Sequence, residues 1–378
     1  MTRRWIWLGL LLLAGCSGVA VEETAVSPAL SQAVAPANCR TVAAQQPCDP
    51  RPQFAEYAVN NQYDQFAWDL FLFVNWPAVP GERGVADGDK KLGEGETAVW
   101  QTWKNVAEVY VPAGQTPLPW NSPIVPPLLE TNIEIDGRLL TDKQGRPTLA
   151  QVNQNEATFD YIVNQRKIYN RAGQAAFFTD SAAPPIDFPA AAMEVKAIWR
   201  ILDAAEQQSG RYHVTEGCYS DDNGDKQCAT LGLTAFHLIS KVQAHWFWAT
   251  FEQVDNQQTT NAPVVEPIAP AVAKLNEAMQ AQLVGTPWQY YQLRGSQWSF
   301  MQDDQPVILA NTQIETQFQQ SSSCMTCHAL SSIGASNSRA EMWNFADGNV
   351  EGYTGDPPPL AAGKFKSLDY VWSLRRAK

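Results

Sequence analysis

Seven cysteines are spread over 378 residues, and their spacing limits the fold more than any other feature of the chain. Cys39 and Cys48 bound the segment CRTVAAQQPC, and Cys218 and Cys228 flank YSDDNGDKQ. Cys324 and Cys327 stand two residues apart in SSSCMTCHAL, with His328 immediately after. Cys16 follows a leader, MTRRWIWLGLLLLAGCS, whose cationic start and run of about ten apolar residues have the length of a signal h-region and are too short to span a bilayer. An exported chain pairs its cysteines or commits them to a cofactor, so each one calls for an assignment.

Cys39 and Cys48 are close enough to close a local loop as a disulfide. The second pair can be tested by strand register. A three-residue loop, Asp222-Asn223-Gly224, with Gly224 in the left-handed conformation, makes a hairpin of the flanking segments. Counting back from the Asp221–Asp225 pair sets Cys218 opposite Cys228, so a cross-strand disulfide is expected. A calcium loop is the competing reading of DDNGD, but its glycine is misplaced and no distal Glu follows. Only Cys324 and Cys327 then remain. A disulfide between them leaves His328 unexplained, and a zinc site lacks two further ligands at suitable spacing among the four histidines. Covalent haem uses all three residues: two thiols one helical turn apart reach the two vinyl groups, and the next imidazole meets the iron. The segment looks like the attachment site of a c-type cytochrome, with one covalent haem c on Cys324 and Cys327 and His328 as proximal iron ligand.

Leu13-Ala14-Gly15-Cys16 resembles a bacterial lipobox. That resemblance implies cleavage before Cys16, lipidation of its thiol and a firm hold on a membrane surface through several acyl chains. Residues 1–15 are then a lipoprotein signal peptide, 16–52 a lipidated flexible tether rich in Ala, Val, Ser, Gln and Pro, and 53–378 a single large haem-bearing domain. The expected location is the periplasmic face of a bacterial membrane. The outer membrane is favoured because Ser17 resembles its sorting signal. With 27 basic and 39 acidic residues the formal charge is −12. No basic cluster follows the leader, which argues against nucleic acid; the acidic balance suits a basic redox partner protein, or simple solubility.

The expected fold class is α+β, with a helical N-terminal part, a central antiparallel sheet and a C-terminal helical haem-attachment segment over about 306–378. QYDQFAWDLFLFVNW sets Phe66, Leu70 and Phe73 at helical spacing, and AVWQTWKNVAEVY does the same for Val99, Trp103, Val106 and Tyr110. ATFDYIVNQRKIYNRAG reads as a helix ending near Gly173, and PAVAKLNEAMQAQL as one carrying Val272, Leu275, Met279 and Leu283. MEVKAIWRIL, GRYHVTEGCYS, KQCATLGLTAFHLIS and AHWFWATFEQV are consecutive strands. A last helix from Asn311 to Gln320 leads into the haem motif. Twelve of the fourteen tryptophans lie beyond the leader, which predicts a bulky aromatic interior.

EVKAIWRIL, HLISKVQAHWFWATFEQVDN, SSSCMTCH and the closing LDYVWSLRRA together resemble the larger single-haem bacterial "cytochrome c family" lipoproteins rather than the small all-helical cytochromes. The second axial position decides between electron transfer and small-molecule chemistry. His237, mid-strand among apolar residues, is one candidate for it, and Met342, beside Trp343 and Phe345, is the alternative; Met301 is a further possibility, while Met325 cannot reach across the porphyrin. His245 is expected to be exposed and His213 to sit at the surface or in a cross-strand pair. Glu194 and Lys196 share a strand face as a charge pair or as part of a distal pocket. Arg200, Arg211 or Lys241 could neutralise a propionate. The first functional reading is an electron-transfer lipoprotein. The second is a haem enzyme activating peroxide, oxygen or a nitrogen oxide at an open distal site.

Overall fold

The computed structural model describes residues 46–95, 97–132, 139–221, 223–261, 267–347 and 349–378; the leader, Cys16 and Cys39 lie outside them. Eight strands form the main sheet among the described residues: β1 (Lys104–Asn105), β2 (Leu128–Thr131), β3 (Leu149–Gln154), β4 (Met193–Ile201), β5 (Val214–Ser220), β6 (Lys226–Ser240), β7 (Phe247–Gln253) and β8 (Tyr291–Gln297). β-branched and aromatic side chains fill β4, β6 and β7, and such side chains pack well on a pleated surface. β3 pairs antiparallel with β2 and β4, and β6 with β4 and β5, while β2 runs parallel to β5. The circuit β2–β3–β4–β6–β5 therefore closes as a five-strand barrel, which leaves no free edge within the ring. β6 pairs with β5 along its first half and β7 along its second, and so carries the sheet out of the barrel to β8.

This architecture overturns the expected one. The body is mostly sheet, not a helical N-terminal part followed by a central antiparallel sheet, and one strand pair is parallel. Nor is the region 306–378 mainly helical. Its described residues form turns, short two-strand pairings such as Ser332–Gly334 with Phe365–Ser367, three short 3-10 helices, and one α-helix, Cys324–Ala329.

Three expected helices fail for local reasons. Asn311–Gln320 makes one helical turn, Glu315 N donating to Asn311 O, and then continues as separate turns in which Phe318 N donates to Glu315 O and Ser321 N to Phe318 O. Residues 99–110 are cut by Asn105, which caps a single turn at Val106–Val109 through Ala107 N, while Glu108 accepts from Asn105 N. The helix expected to end near Gly173 stops sooner, at a π-turn over Tyr161–Gln165, and a new one starts at Arg171–Thr179. Gly173 belongs to that second helix: a Cβ there would lie 1.9 Å from the Lys167 carbonyl oxygen, so the close approach of the two segments requires glycine.

Other local readings correspond to what is seen. Helices span Tyr63–Val74 and Pro270–Gln282. Cys218 and Cys228 are register partners joined by a disulfide, with Asp221 N donating to Asp225 O and Gly224 at φ +84°. Cys48 is also disulfide-bonded. No helix among the described residues is long and apolar enough to cross a membrane.

The two long helices cover one face of the sheet. Trp68 Nε1 donates to Asn276 Oδ1 between them, and Asn276 Nδ2 in turn donates to Leu293 O of β8. Phe71 stacks on Phe251 at 4.1 Å and meets Trp288 edge-on at 5.5 Å. Trp68, Trp100, Trp199, Trp246 and Trp288 are fully buried. This aromatic core leaves the opposite face of β3, β4, β6, β7 and β8 to be covered by the C-terminal segment.

Candidate functional site

Register defines that opposite face. Side chains of a strand alternate between faces, so partners across a sheet form rows. One row runs Val152, Lys196, His237, Thr250 and Gly295 across β3, β4, β6, β7 and β8. The next runs Gln154, Glu194, Ile239, Trp248 and Gln297. The C-terminal segment is fastened to both. Asn311 Nδ2 donates to Thr250 Oγ1 at 2.9 Å, and Ser373 Oγ donates to the buried Glu194 carboxylate, which also accepts from Gln154. Gln297 uses both ends of its amide, donating to Ser323 Oγ and accepting from Met325 N. Gln297 thereby holds the start of the helix Cys324–Ala329 against the sheet, with Ser323 as its N-cap.

Cys324 and Cys327 are one helical turn apart, and both are free thiols. Burial pushes the Cys324 thiol well up, aided by the nearby Glu315 carboxyl, and pushes Cys327 up to about 11. A redox-active or nucleophilic pair needs the opposite shift, toward thiolate.

His328 is oriented by the closing segment. Its Nδ1 donates to the Tyr370 carbonyl at 2.7 Å, which fixes the tautomer and leaves the Nε2 lone pair for a metal. That carbonyl is presented by two successive residues in the left-handed region, Asp369 at φ +50° and Tyr370 at φ +70°. Such a conformation in a bulky residue costs roughly 1–3 kcal/mol and persists only where the surroundings impose it. Here they do. Lys241 Nζ grips both Asp369 oxygens at 2.8 Å, Phe188 N donates to the same carboxylate, and Trp372 Nε1 donates to Cys327 O. The His328 ring packs on Trp248, with centroids 4.4 Å apart.

His237 faces the same space. Desolvation holds its imidazole well below the ordinary histidine range, and the fields of Lys196 and His328 add to the effect. Its Nε2 is buried without a hydrogen-bond partner, 3.6 Å from Glu315 Oε2. Desolvation pushes Glu315 up to about 7, and it lowers Lys196, whose ammonium Glu315 partly supports. The His237 and Glu315 side chains still keep 16% and 13% of their accessible surface despite this desolvation. An orphaned imidazole nitrogen, a second imidazole with its Nε2 free and two unpaired thiols at one turn's spacing fit a covalently held haem. No group of three or more His, Cys, Asp or Glu side chains suited to a metal ion occurs among the described residues.

Several expected residues take other roles. The Met342 sulfur accepts from Arg375 Nη1 at an exposed position. His245 is exposed, and the chain between β6 and β7 breaks its strand parity with His237. His213 is not a surface residue: it is buried, stacks on Trp288 at 4.9 Å, and donates from Nε2 to Gln101 Oε1 at 2.8 Å. Glu194 and Lys196 do not form a charge pair; the Glu194 carboxyl accepts from Ser373 and Gln154, and the cross-strand neighbour of Lys196 is His237. Arg200 is held by Glu206 and Tyr212, Arg211 by Asp255, and Lys241 by Asp369 and Asp187, so each of these cations already has an anionic or hydroxyl partner. Cys16 and Cys39 lie outside the described residues.

His213 supports a direct test. Burial lowers its pKa to about 4, whereas the unfolded chain titrates near 6.5. The unfolded state thus binds more protons between these values, and stability present above pH 6.5 is lost as pH falls toward 4. The loss attributable to this ring is on the order of 3 kcal/mol. Denaturant titrations from pH 7 to 4.5 should show a shallower decline for His213→Gln than for the parent; equal slopes would contradict the assignment.

Sequence reasoning missed Glu315, Gln297, Trp248 and Tyr370. Gln297 and Trp248 share row parity with Glu194, which a full register would have exposed. Glu315 and Tyr370 lie in irregular chain without a periodic signal. Comparisons with protein families, curated proteins and solved structures found no match to this chain.

Proposed function

We propose that this chain is an exported c-type cytochrome that carries one covalent haem c and passes single electrons. The observation that carries the reading is the pair of free thiols, Cys324 and Cys327, one turn apart beside a His328 imidazole whose Nε2 is kept available by the Tyr370 carbonyl. In this reading Cys324 and Cys327 would hold the haem covalently through thioethers, and His328 Nε2 would bind its iron. His237, whose Nε2 is buried and unpartnered among the described residues, would be a second ligand. A bound haem supplies an iron that takes up and releases one electron at a potential set by its ligands and burial. Gln297 holds the attachment helix in place, and Trp248 packs against the proximal ring.

The apolar leader with its lipobox-like end supports export and lipid anchoring at the periplasmic face of a bacterial membrane. The Cys218–Cys228 disulfide agrees with an oxidising compartment. Maturation of the full chain in a host competent for cytochrome c assembly should give coloured protein whose mass includes the haem after denaturation. Cys324→Ala/Cys327→Ala should lose that added mass. Colourless parent protein would refute the proposal.

A second reading, a haem enzyme acting on peroxide, oxygen or a nitrogen oxide, is favoured by one observation. A carboxyl titrating near 7 beside an imidazole, Glu315 next to His237, is the kind of pair that moves protons at neutral pH.

A further inference from the structure

Ring contacts continue from His328 to the surface. Trp248 lies 4.4 Å from the His328 ring and 6.3 Å from Tyr370; His245 lies 5.7 Å from Tyr370 and 5.4 Å from Phe300. Trp248 Nε1 also donates to the His245 carbonyl at 3.0 Å, which ties the buried ring to the exposed residue. Trp248 is 2% exposed, Tyr370 and Phe300 are half-buried, and His245 is exposed, so the series passes from interior to solvent without a gap. Packed rings and hydrogen bonds carry an electron better than intervening water does. The other expected partners of the cofactor, Arg200 and Arg211, are bound into the far end of the sheet.

The rim of this exposed end is acidic. Phe300 leads directly into a hairpin, Met301–Gln302 paired with Gln305–Pro306, whose turn is Asp303-Asp304. Both aspartates are exposed and stand at positive φ, +49° and +59°, which holds them at the tip. Nearby Lys241 adds little positive charge: it is buried at 6% exposure and faces two carboxylates, of which Asp187 is 80% exposed. The chain as a whole carries −12.

We propose that the face bearing His245, Phe300 and Tyr370, rimmed by Asp303 and Asp304, is the electron-exchange surface of this protein, and that its partner is a basic one-electron carrier protein. The inference rests on the haem reading above and adds where the partner docks. In the transfer one electron would pass from the reduced partner to the oxidised haem that Cys324, Cys327 and His328 would hold; no bond is made or broken and no proton moves. The acidic rim raises the encounter rate and orients the partner, while the aromatic centre makes the contact.

The test uses the haem-loaded full chain. Reduction by hexaammineruthenium(II), a cation, and by iron(II)–EDTA, an anion, is followed by stopped flow at low and high salt. Association with a basic monohaem cytochrome c is measured by calorimetry. Asp303→Asn/Asp304→Asn should weaken that association on the order of tenfold at low salt and flatten its salt dependence. It should slow reduction by the cation and not by the anion. Phe300→Leu should slow exchange with the basic cytochrome at unchanged salt slope. The absorption spectrum and reduction potential of both variants should match the parent, which separates docking from damage to the haem site. Glu82→Gln/Asp89→Asn, exposed elsewhere, should change nothing. If the turn and Phe300 variants behave as the parent, or the distant pair has the larger effect, the surface assignment is overturned while the cofactor reading stands. A colourless parent would remove the cofactor reading, and this surface with it.

Discussion

His237→Ala is expected to turn a haem-loaded protein that ignores carbon monoxide into one that binds it rapidly and completely when reduced. The parent imidazole sits in the middle of β6, between Lys196 of β4 and Thr250 of β7, and strand register forces it onto the face opposite the aromatic core. Among the described residues nothing satisfies its Nε2: Glu315 stops 3.6 Å away, and burial disfavours protonation of the ring. An unpaired buried nitrogen of this kind costs about 1–3 kcal/mol unless something binds it. Iron ligation would repay that cost. The alanine variant should therefore lose little or no stability as the haem-free chain, yet show the full change in coordination once loaded. Met342→Ala should leave the spectrum unaltered, since its sulfur is engaged by Arg375. Optical spectra of the reduced proteins with and without carbon monoxide decide the matter. Rapid binding by the parent would instead give the Glu315–His237 pair a proton-transfer role and favour the enzyme reading.

The parts of this site that were legible in the sequence are those fixed by short-range chemistry. The thioether attachment proposed above demands one spacing, so Cys324, Cys327 and His328 can be picked out as its candidates in one line. The Cys218–Cys228 hairpin is readable because loop chemistry sets register and register sets which residues face each other. His237 is readable as a polar interruption of an apolar strand. What closes the barrel is different in kind. β2 has four residues, only one of them buried, and its parallel partner β5 lies more than eighty residues further on. No local pattern announces such a pairing. The same holds for Asn311–Gln320, whose helical composition yields a single turn anchored to the sheet through Glu252 and Asn311 and no continued helix. Tyr370 acts through its carbonyl oxygen, to which the identity of its side chain gives no clue.

That carbonyl depends on a buried ion pair, and the dependence yields the second large effect. Lys241→Met should destabilise the protein by about 4 kcal/mol, because breaking a buried pair strands the remaining charge. Lys241 and Asp369 are 6% and 7% exposed, and desolvation already raises the Asp369 carboxyl even with the ammonium in place. Without Lys241, Asp369 keeps Phe188 N as a donor but has no counter-charge. Lys241→Met/Asp369→Asn should recover much of the loss, since neither charge is then stranded. The pH dependence has a definite sign. A carboxyl whose folded pKa is raised above its unfolded value penalises folding only as pH rises past the unfolded value near 3.9. The gap between parent and Lys241→Met should accordingly narrow as pH falls from 7 toward 4. Denaturant midpoints at unchanged slope measure it. Because Asp369 and Tyr370 hold their left-handed backbone under this clamp, hydrogen exchange should also quicken across residues 328–331 and 367–371 in the single variant. A stability loss without faster exchange there would show that the pair holds the fold but not the His328 imidazole.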